Sequence, residues 1–365
     1  MTPAFHHTRL VLEDGSVFEG KAFGAQRSVA GEVVFTTGMT GYPQSLTDPS
    51  YHGQILVSTY PLVGNYGVPG ASCDENGLER NFESNRIWVT AFVVAEACEN
   101  PSHHASLSTL DAWLERQGVP GIAGVDTRSL TTILRKEGVM RGSIIFGDEN
   151  APSGPSASVA AVSCAERRVY GEGGRLRIAL IDCGVKNNII RCLLERGAEV
   201  IRLPWNSDLR GVDYDGILLT NGPGDPKACS RTIATVRRAL AGEKPVFGVC
   251  LGSQIMALAA GGDTYKLPYG HRGQNQPCVE VGTRRCYITS QNHGYAVRAE
   301  SLPPGWETWF LNGNDGTVEG IRSKTRPFSA VQFHPEGCPG PRDTEFLFDR
   351  FLADVRSAAE KGGRP

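Results

Sequence analysis

Two hydrophobic rhythms divide this chain. From residue 177 onward, short unbroken apolar runs alternate with amphipathic stretches. Residues 178–181 (Ile-Ala-Leu-Ile), 199–203 and 217–219 read as strands, the first and last apolar on both faces. Residues 186–196 read as a helix closed by Gly197, and 231–240 as a second. Another apolar run, 245–249, leads into residues 255–260, a helix stopped by Gly261-Gly262. Strand and helix in alternation predict a mostly parallel sheet with helices on both faces. The last third is richer in strands (279–281, 286–289, 309–311, 328–333) and closes with a helix over 343–359.

The earlier rhythm differs. Apolar pairs around Glu13-Asp14-Gly15-Ser16 predict a hairpin, with further strands at 33–35, 55–57 and 87–94. Residues 107–117 predict a helix ended at Gly118. Asp126 predicts the cap of a second, over 127–137, that stops at Gly138. Pro/Gly/Ser-rich stretches at 150–156 and Gly-rich ones at 171–174 predict a linker. The organisation expected is α/β throughout. A mixed α/β domain spans 1–150, a linker 151–175, and a domain with a mostly parallel, helix-flanked sheet 176–365.

Composition narrows the class. The chain has 365 residues, with 37 basic and 39 acidic side chains, so no charge excess points to nucleic acid or a membrane surface. No apolar run reaches transmembrane length, and the first residues lack the pattern of a signal peptide. Ten cysteines occur without any Cys-x-x-Cys pair, which predicts reduced thiols in a cytoplasmic protein rather than zinc or a disulfide framework. No metal site is expected: His103-His104 has no accompanying ligand set.

The chemistry concentrates at Gly248-Val249-Cys250-Leu251-Gly252. A strand, a nucleophile between glycines and a helix make a nucleophile elbow. The sharp turn needs small neighbours, and the helix mouth favours a thiolate. His334 ends the strand over 328–333, and Glu336 lies two residues on, on the same side of an extended segment. That pair supplies a base and a carboxylate to orient it. His293 is the alternative base, in a stretch read as a loop suited to holding substrate. The loop Asn221-Gly222-Pro223-Gly224-Asp225-Pro226 falls at the carboxyl end of a strand, where sites form in such sheets. A glycine N–H there and the N–H of Leu251 could together receive an oxyanion.

The elbow Gly248 to Gln254, Asn221 to Pro226 and His334-Pro335-Glu336 together resemble a class I glutamine amidotransferase domain. Gly31-Glu32-Val33-Val34-Phe35, Met39-Thr40-Gly41-Tyr42, Leu46 to Tyr51, Tyr60-Pro61 and Gly64 to Gly67 are similar to the small subunit of carbamoyl phosphate synthetase. The likeness runs from about Leu10 to Leu352. It implies that Cys250 attacks the side-chain amide of L-glutamine, with His334 as base and Glu336 orienting it. It assigns Ser50, Gly222, Gly224, Leu251, Gln254, Asn292, Gly294 and Tyr295 to glutamine binding. Ser253 stands where many relatives have histidine. No ATP-binding motif is seen, so the resemblance implies a separate large subunit, with ATP and Mg, that turns the ammonia into carbamoyl phosphate for arginine and pyrimidine biosynthesis in a heterodimer.

Two other functions fit part of the pattern. A cysteine-dependent α/β-hydrolase shares the elbow, but its acid comes before the histidine in chain order. A non-catalytic regulatory subunit would not need all three of Cys250, His334 and Glu336.

Overall fold

A computed structural model describes residues 7–361 and divides the chain into two compact units, the first ending at Ala157 and the second starting at Ser158. The first unit is built around a closed barrel. Its elements are β1 (His7–Leu12), β2 (Val17–Gly24), β3 (Val29–Thr36), α1 (Tyr42–Leu46), β4 (Gln54–Ser58), β5 (Leu62–Val63), β6 (Ala91–Val93), β7 (Glu96–Ala97), α2 (Leu110–Arg116), β8 (Pro120–Ala123), α3 (Thr127–Glu137) and β9 (Met140–Phe146). The barrel order is β1-β2-β8-β6-β4-β3-β9. Closure leaves no free edge among these strands. β4 is buried at every residue because the barrel interior takes one face and an outer layer the other. That outer layer includes α2, whose Leu110, Trp113 and Leu114 pack with Phe23, Leu56 and Phe92. Helix α3 starts where the sequence places it: Asp126 accepts the Ser129 N–H at 2.9 Å, and Gly138 ends it at φ 93°.

The second unit contains α4 (Val159–Val162), β10 (Arg168–Tyr170), β11 (Leu176–Asp182), α5 (Asn187–Leu194), β12 (Ala198–Pro204), β13 (Gly216–Leu219), α6 (Ser230–Ala241), β14 (Val246–Val249), α7 (Leu251–Ala260), β15 (Thr264–Glu280), β16 (Cys286–Val297), β17 (Trp306–Asn312), β18 (Val318–Ser323), β19 (Phe328–Val331) and α8 (Phe346–Lys361). The strands form one ten-stranded sheet ordered β10-β12-β11-β13-β14-β19-β18-β16-β15-β17. The run from β12 to β19 is parallel. β13 and β14 are buried at every position. Phe247 faces α8, stacking on Phe351 at 5.6 Å, while Val246 joins Leu251, Ile255 and Met256 of α7 on the other side. Each such large apolar side chain contributes roughly 1.5–3 kcal/mol by leaving water.

Two segments differ from what the sequence suggests. Within the stretch read as linker, α4 and β10 are ordered parts of the second unit, with β10 pairing antiparallel to β12. Residues 291–295, read as a loop, lie inside β16, which pairs with β15 across two register shifts. Among the described residues, no helix is long and apolar enough to cross a membrane.

Candidate active site

The elbow forms as its glycines require. Cys250 links β14 to α7 at φ 54°, ψ −107°, a left-handed backbone that a non-glycine residue adopts only when its surroundings enforce it. A Cβ on Gly248 would lie 2.7 Å from the Gly252 carbonyl oxygen, and one on Gly252 2.4 Å from that of Leu219. Neither position admits a side chain. The Cys250 N–H donates to Val331 O at 2.8 Å, so the elbow is still tied to β19. The first N–H groups of α7, Leu251 included, have no acceptor within their own helix. Ser253 and Gln254, on the same helix, are buried.

β19 runs parallel to β14, with Val249 opposite Val331, and the chain then reaches His334 three residues on. The His334 N–H donates to Ser290 O of β16 at 2.9 Å. Its ring is buried, with Nδ1 2.6 Å from Glu336 Oε1, while Nε2 has no hydrogen-bond partner among the described residues. Burial alone would lower the His334 pKa. The Glu336 carboxylate, and then Cys250, outweigh burial and push it up to about 10. A carboxylate on one nitrogen and an open second nitrogen are what a base beside a thiol needs.

The carboxylate has a second partner that sequence reasoning did not find. Lys186 Nζ lies 3.0 Å from Glu336 Oε1 and donates to Gly337 O at 2.6 Å. Burial would raise the Glu336 pKa. Lys186 first, and His334 next, pull it down to about 2, so the group is an anion at neutral pH. Asn188 adds a bond from Nδ2 to Glu336 O at 2.6 Å. The one available signal was position: Lys186 follows β11 at the carboxyl end of the sheet, where sites form.

The remaining expected residues surround the elbow or stand apart from it in sequence. Asn292 O accepts from Cys250 Sγ at 3.5 Å. Gln254 Nε2 donates to Tyr295 O at 2.9 Å and to Gln332 Oε1 at 3.1 Å. Asn292, Gly294 and Tyr295 are thus on a strand fastened to α7. Gly222 and Gly224 lie on the loop after β13; a Cβ on Gly222 would meet Cys183 O at 2.1 Å, and Gly224 has φ 88°. Ser50 belongs to the first unit, in a 3-10 turn (Pro49–Tyr51) whose Asp48 carboxylate accepts the Ser50 N–H at 2.9 Å. His293, the alternative base, is committed elsewhere: Nδ1 is 2.9 Å from Tyr295 O and Nε2 3.3 Å from Gln291 Oε1.

The chain is similar to known proteins over most of its length. The family model for "Glutamine amidotransferase class-I" matches residues 179–353. That for "Carbamoyl-phosphate synthase small chain, CPSase domain" matches residues 10–144. The chain is 45% identical to the carbamoyl phosphate synthase arginine-specific small chain of Aspergillus oryzae, over 97% of this chain and 81% of the relative. The small chain of Aspergillus fumigatus gives the same values. It is 49% identical to the multifunctional protein CAD of Squalus acanthias over 95% of this chain, but spans only 16% of that relative's length. The chain therefore belongs to the carbamoyl-phosphate synthase small-chain family, with a small-chain N-terminal domain followed by a class I glutamine amidotransferase domain.

Proposed function

We propose that the chain is the glutamine-hydrolysing subunit of a carbamoyl phosphate synthase. The observation that carries this reading is Cys250, held at an enforced positive φ beside a histidine whose ring is bonded to a buried carboxylate. Cys250, as thiolate, attacks the side-chain amide carbon of L-glutamine. The N–H groups of Leu251 and Gly224 receive the oxyanion; losing one such donor costs about 3–4 kcal/mol of transition-state stabilisation. The His334 imidazolium gives its proton to the departing nitrogen, ammonia leaves, and a γ-glutamyl thioester remains. Neutral His334 then takes a proton from water as that water attacks the thioester, and glutamate is released with the thiolate restored. Glu336 fixes the ring and stabilises its charged form, while Lys186 keeps Glu336 ionised. The strand from Asn292 to Tyr295, joined to Gln254, lines the glutamine side of the thiol.

Ammonia set free in neutral water becomes ammonium, which is not a nucleophile. The reading therefore includes a large subunit that receives ammonia directly and activates bicarbonate with ATP and Mg. Similarity to the fungal small chains over 81% of their length supports this division of labour. Ten free cysteines support a reducing, cytoplasmic setting. The test is glutamate release from glutamine with and without the large subunit, combined with mapping of the thiol labelled by a glutamine-like alkylating agent. Label on Cys250 and loss of hydrolysis in Cys250→Ser are expected. Undiminished hydrolysis in that variant, or label on another cysteine, would sink the reading.

A further inference from the structure

The antiparallel end of the second sheet buries a cluster that glutamine hydrolysis does not use. His271 on β15 and His293 on β16 are cross-strand partners with rings edge to face at 4.9 Å. Glu319 on β18 reaches between them. His271 Nδ1 is 3.2 Å and His293 Nε2 3.5 Å from Glu319 Oε1. The three donor atoms lie within 4.8 Å of one another. Glu319 is fully buried, and its Oε2 has no hydrogen-bond partner among the described residues.

The outer nitrogens decide what the inner ones can be. His293 Nδ1 is 2.9 Å from the Tyr295 carbonyl, which only accepts, so Nδ1 carries the hydrogen. In the neutral ring, Nε2 is then a lone pair, and it faces Glu319 Oε1 and Gln291 Oε1. His271 Nε2 is 2.9 Å from Asp315 Oδ2, which also only accepts, so that nitrogen carries the hydrogen. His271 Nδ1 is then a second lone pair turned on Glu319. Asn312 Nδ2 approaches the same carboxylate at 3.2 Å and His271 Nδ1 at 3.5 Å but supplies no charge. Two imidazole lone pairs and an anionic carboxylate thus converge on one point. A cation held between the rings would bond both lone pairs and the carboxylate at once. A tetrahedral ion with bonds of roughly 2.0–2.2 Å keeps its ligands roughly 3.3–3.5 Å apart, close to the two separations from Glu319.

We propose that His271 Nδ1, His293 Nε2 and a Glu319 carboxylate oxygen form a binding site for a divalent transition-metal ion, zinc by its donor set. Two imidazoles exclude calcium and magnesium, which take oxygen ligands. The outer bonds to Asp315 and to Tyr295 O are the arrangement that fixes tautomers around bound metals. The ion ties β15, β16 and β18 together directly beside Asn292 and Tyr295. The site stands whether or not the glutamine reading holds, because its residues lie outside Cys250, His334 and Glu336.

The test uses the full chain carrying Cys250→Ser, which removes the catalytic thiol as a competing ligand. The chelator-stripped protein is titrated with Zn²⁺ against a chromophoric chelator, and with Co²⁺ followed by absorption. One equivalent per chain is expected, with cobalt d–d bands and no thiolate charge-transfer band. Adding His271→Ala or Glu319→Gln should weaken zinc binding by about 100-fold or more, and Asp315→Asn by about 10–100-fold. If those variants fail to fold, the cobalt spectrum of the chain with the cluster intact decides. Absence of stoichiometric binding, a thiolate band, or affinity unmoved in folded variants would overturn the site.

Discussion

Replacing Lys186 by Met probes the least expected part of the candidate active site. The ammonium and the Glu336 carboxylate are 3.0 Å apart, with side chains 3% and 0% exposed. Solvent cannot take over from either partner. Deleting one member of such a pair typically costs about 3–5 kcal/mol, because the other stays buried with less compensation. Glu336 keeps His334 in this variant, so the lower end of that range is expected at pH 7. The effect also carries a pH signature. The Glu336 carboxyl sits at about 2 in the folded protein against an ordinary 4.5, where burial is outweighed first by Lys186 and then by His334. A group whose pKa is depressed by folding stabilises the protein above its unfolded pKa, and that stability is lost as pH falls through the folded one. The gap, 4.5 minus 2, corresponds to roughly 3 kcal/mol. In Lys186→Met the carboxyl climbs back, and this part of the acid dependence shrinks. Urea denaturation of both proteins at several pH values between 7 and 3 measures it. The expected result is a difference near 3 kcal/mol at pH 7 that narrows toward pH 3. A loss under about 1 kcal/mol at pH 7, or one that does not change with pH, would refute the reasoning.

Cys250→Ser should abolish glutamine-dependent synthesis by the complex while synthesis from added ammonia continues; loss of both would show that Cys250 is not confined to amide cleavage. Glu336→Gln removes the strongest influence raising His334, so the alkaline limb of kcat/KM for glutamine should move to lower pH, and an unmoved limb between pH 7 and 10 would count against the pair. The same substitution should leave more activity than loss of His334, since Glu336 acts through the ring; assay of the two variants side by side gives the ordering.

Much of this architecture was legible because local chemistry announced it. The cap at Asp126 and the stop at Gly138 bound α3 as expected, and the apolar runs of β11, β13 and β14 are the buried strands they suggest. The grouping of Cys250, His334 and Glu336 could be read because Cys250 follows a buried strand between glycines and the other two lie just beyond the next parallel strand. Residues 291–295 misled for a physical reason. Gln-Asn-His-Gly-Tyr is polar, and polar runs read as loops, yet here the stretch is bonded within the sheet and to α7, as His293 Nδ1 is to Tyr295 O and Gln254 Nε2 to the same carbonyl. α4 and β10 are only four and three residues long, too short for any periodicity to outweigh the Pro/Gly/Ser signal around them. Barrel closure left no trace either, since β3 pairs with β9 more than a hundred residues later and nothing in either strand names the other. Lys186 shows the same limit for a site. Its charge is buried against Glu336 and the Gly337 carbonyl, 150 and 151 residues away.

The elbow itself allows a sharper separation of geometry from stability, using two glycines on one helix. Gly252 lies in the first turn of α7, where alanine would ordinarily improve helix formation by about 1 kcal/mol. Here the added Cβ would sit 2.4 Å from Leu219 O and 2.7 Å from Leu219 Cβ, against the backbone and inner side chain of β13. β13 is fully buried and cannot yield, so α7 must move, at an overpacking cost of typically about 1–3 kcal/mol. Its first turn carries Leu251 and follows Cys250, so the same displacement shifts the proposed nucleophile and the proposed oxyanion donor together. Gly261, at the other end of α7, has φ 104° and nothing within 4 Å of an added Cβ. Gly261→Ala should therefore cost about 1 kcal/mol of backbone strain and leave turnover near that of the parent. Gly252→Ala should lose turnover far beyond its loss of stability. Melting curves and glutaminase kinetics on both variants decide it. Equal catalytic loss in the two, or a Gly252→Ala enzyme that melts earlier but turns over normally, would mean that the close approach of α7 to β13 is not what sets Cys250 in place.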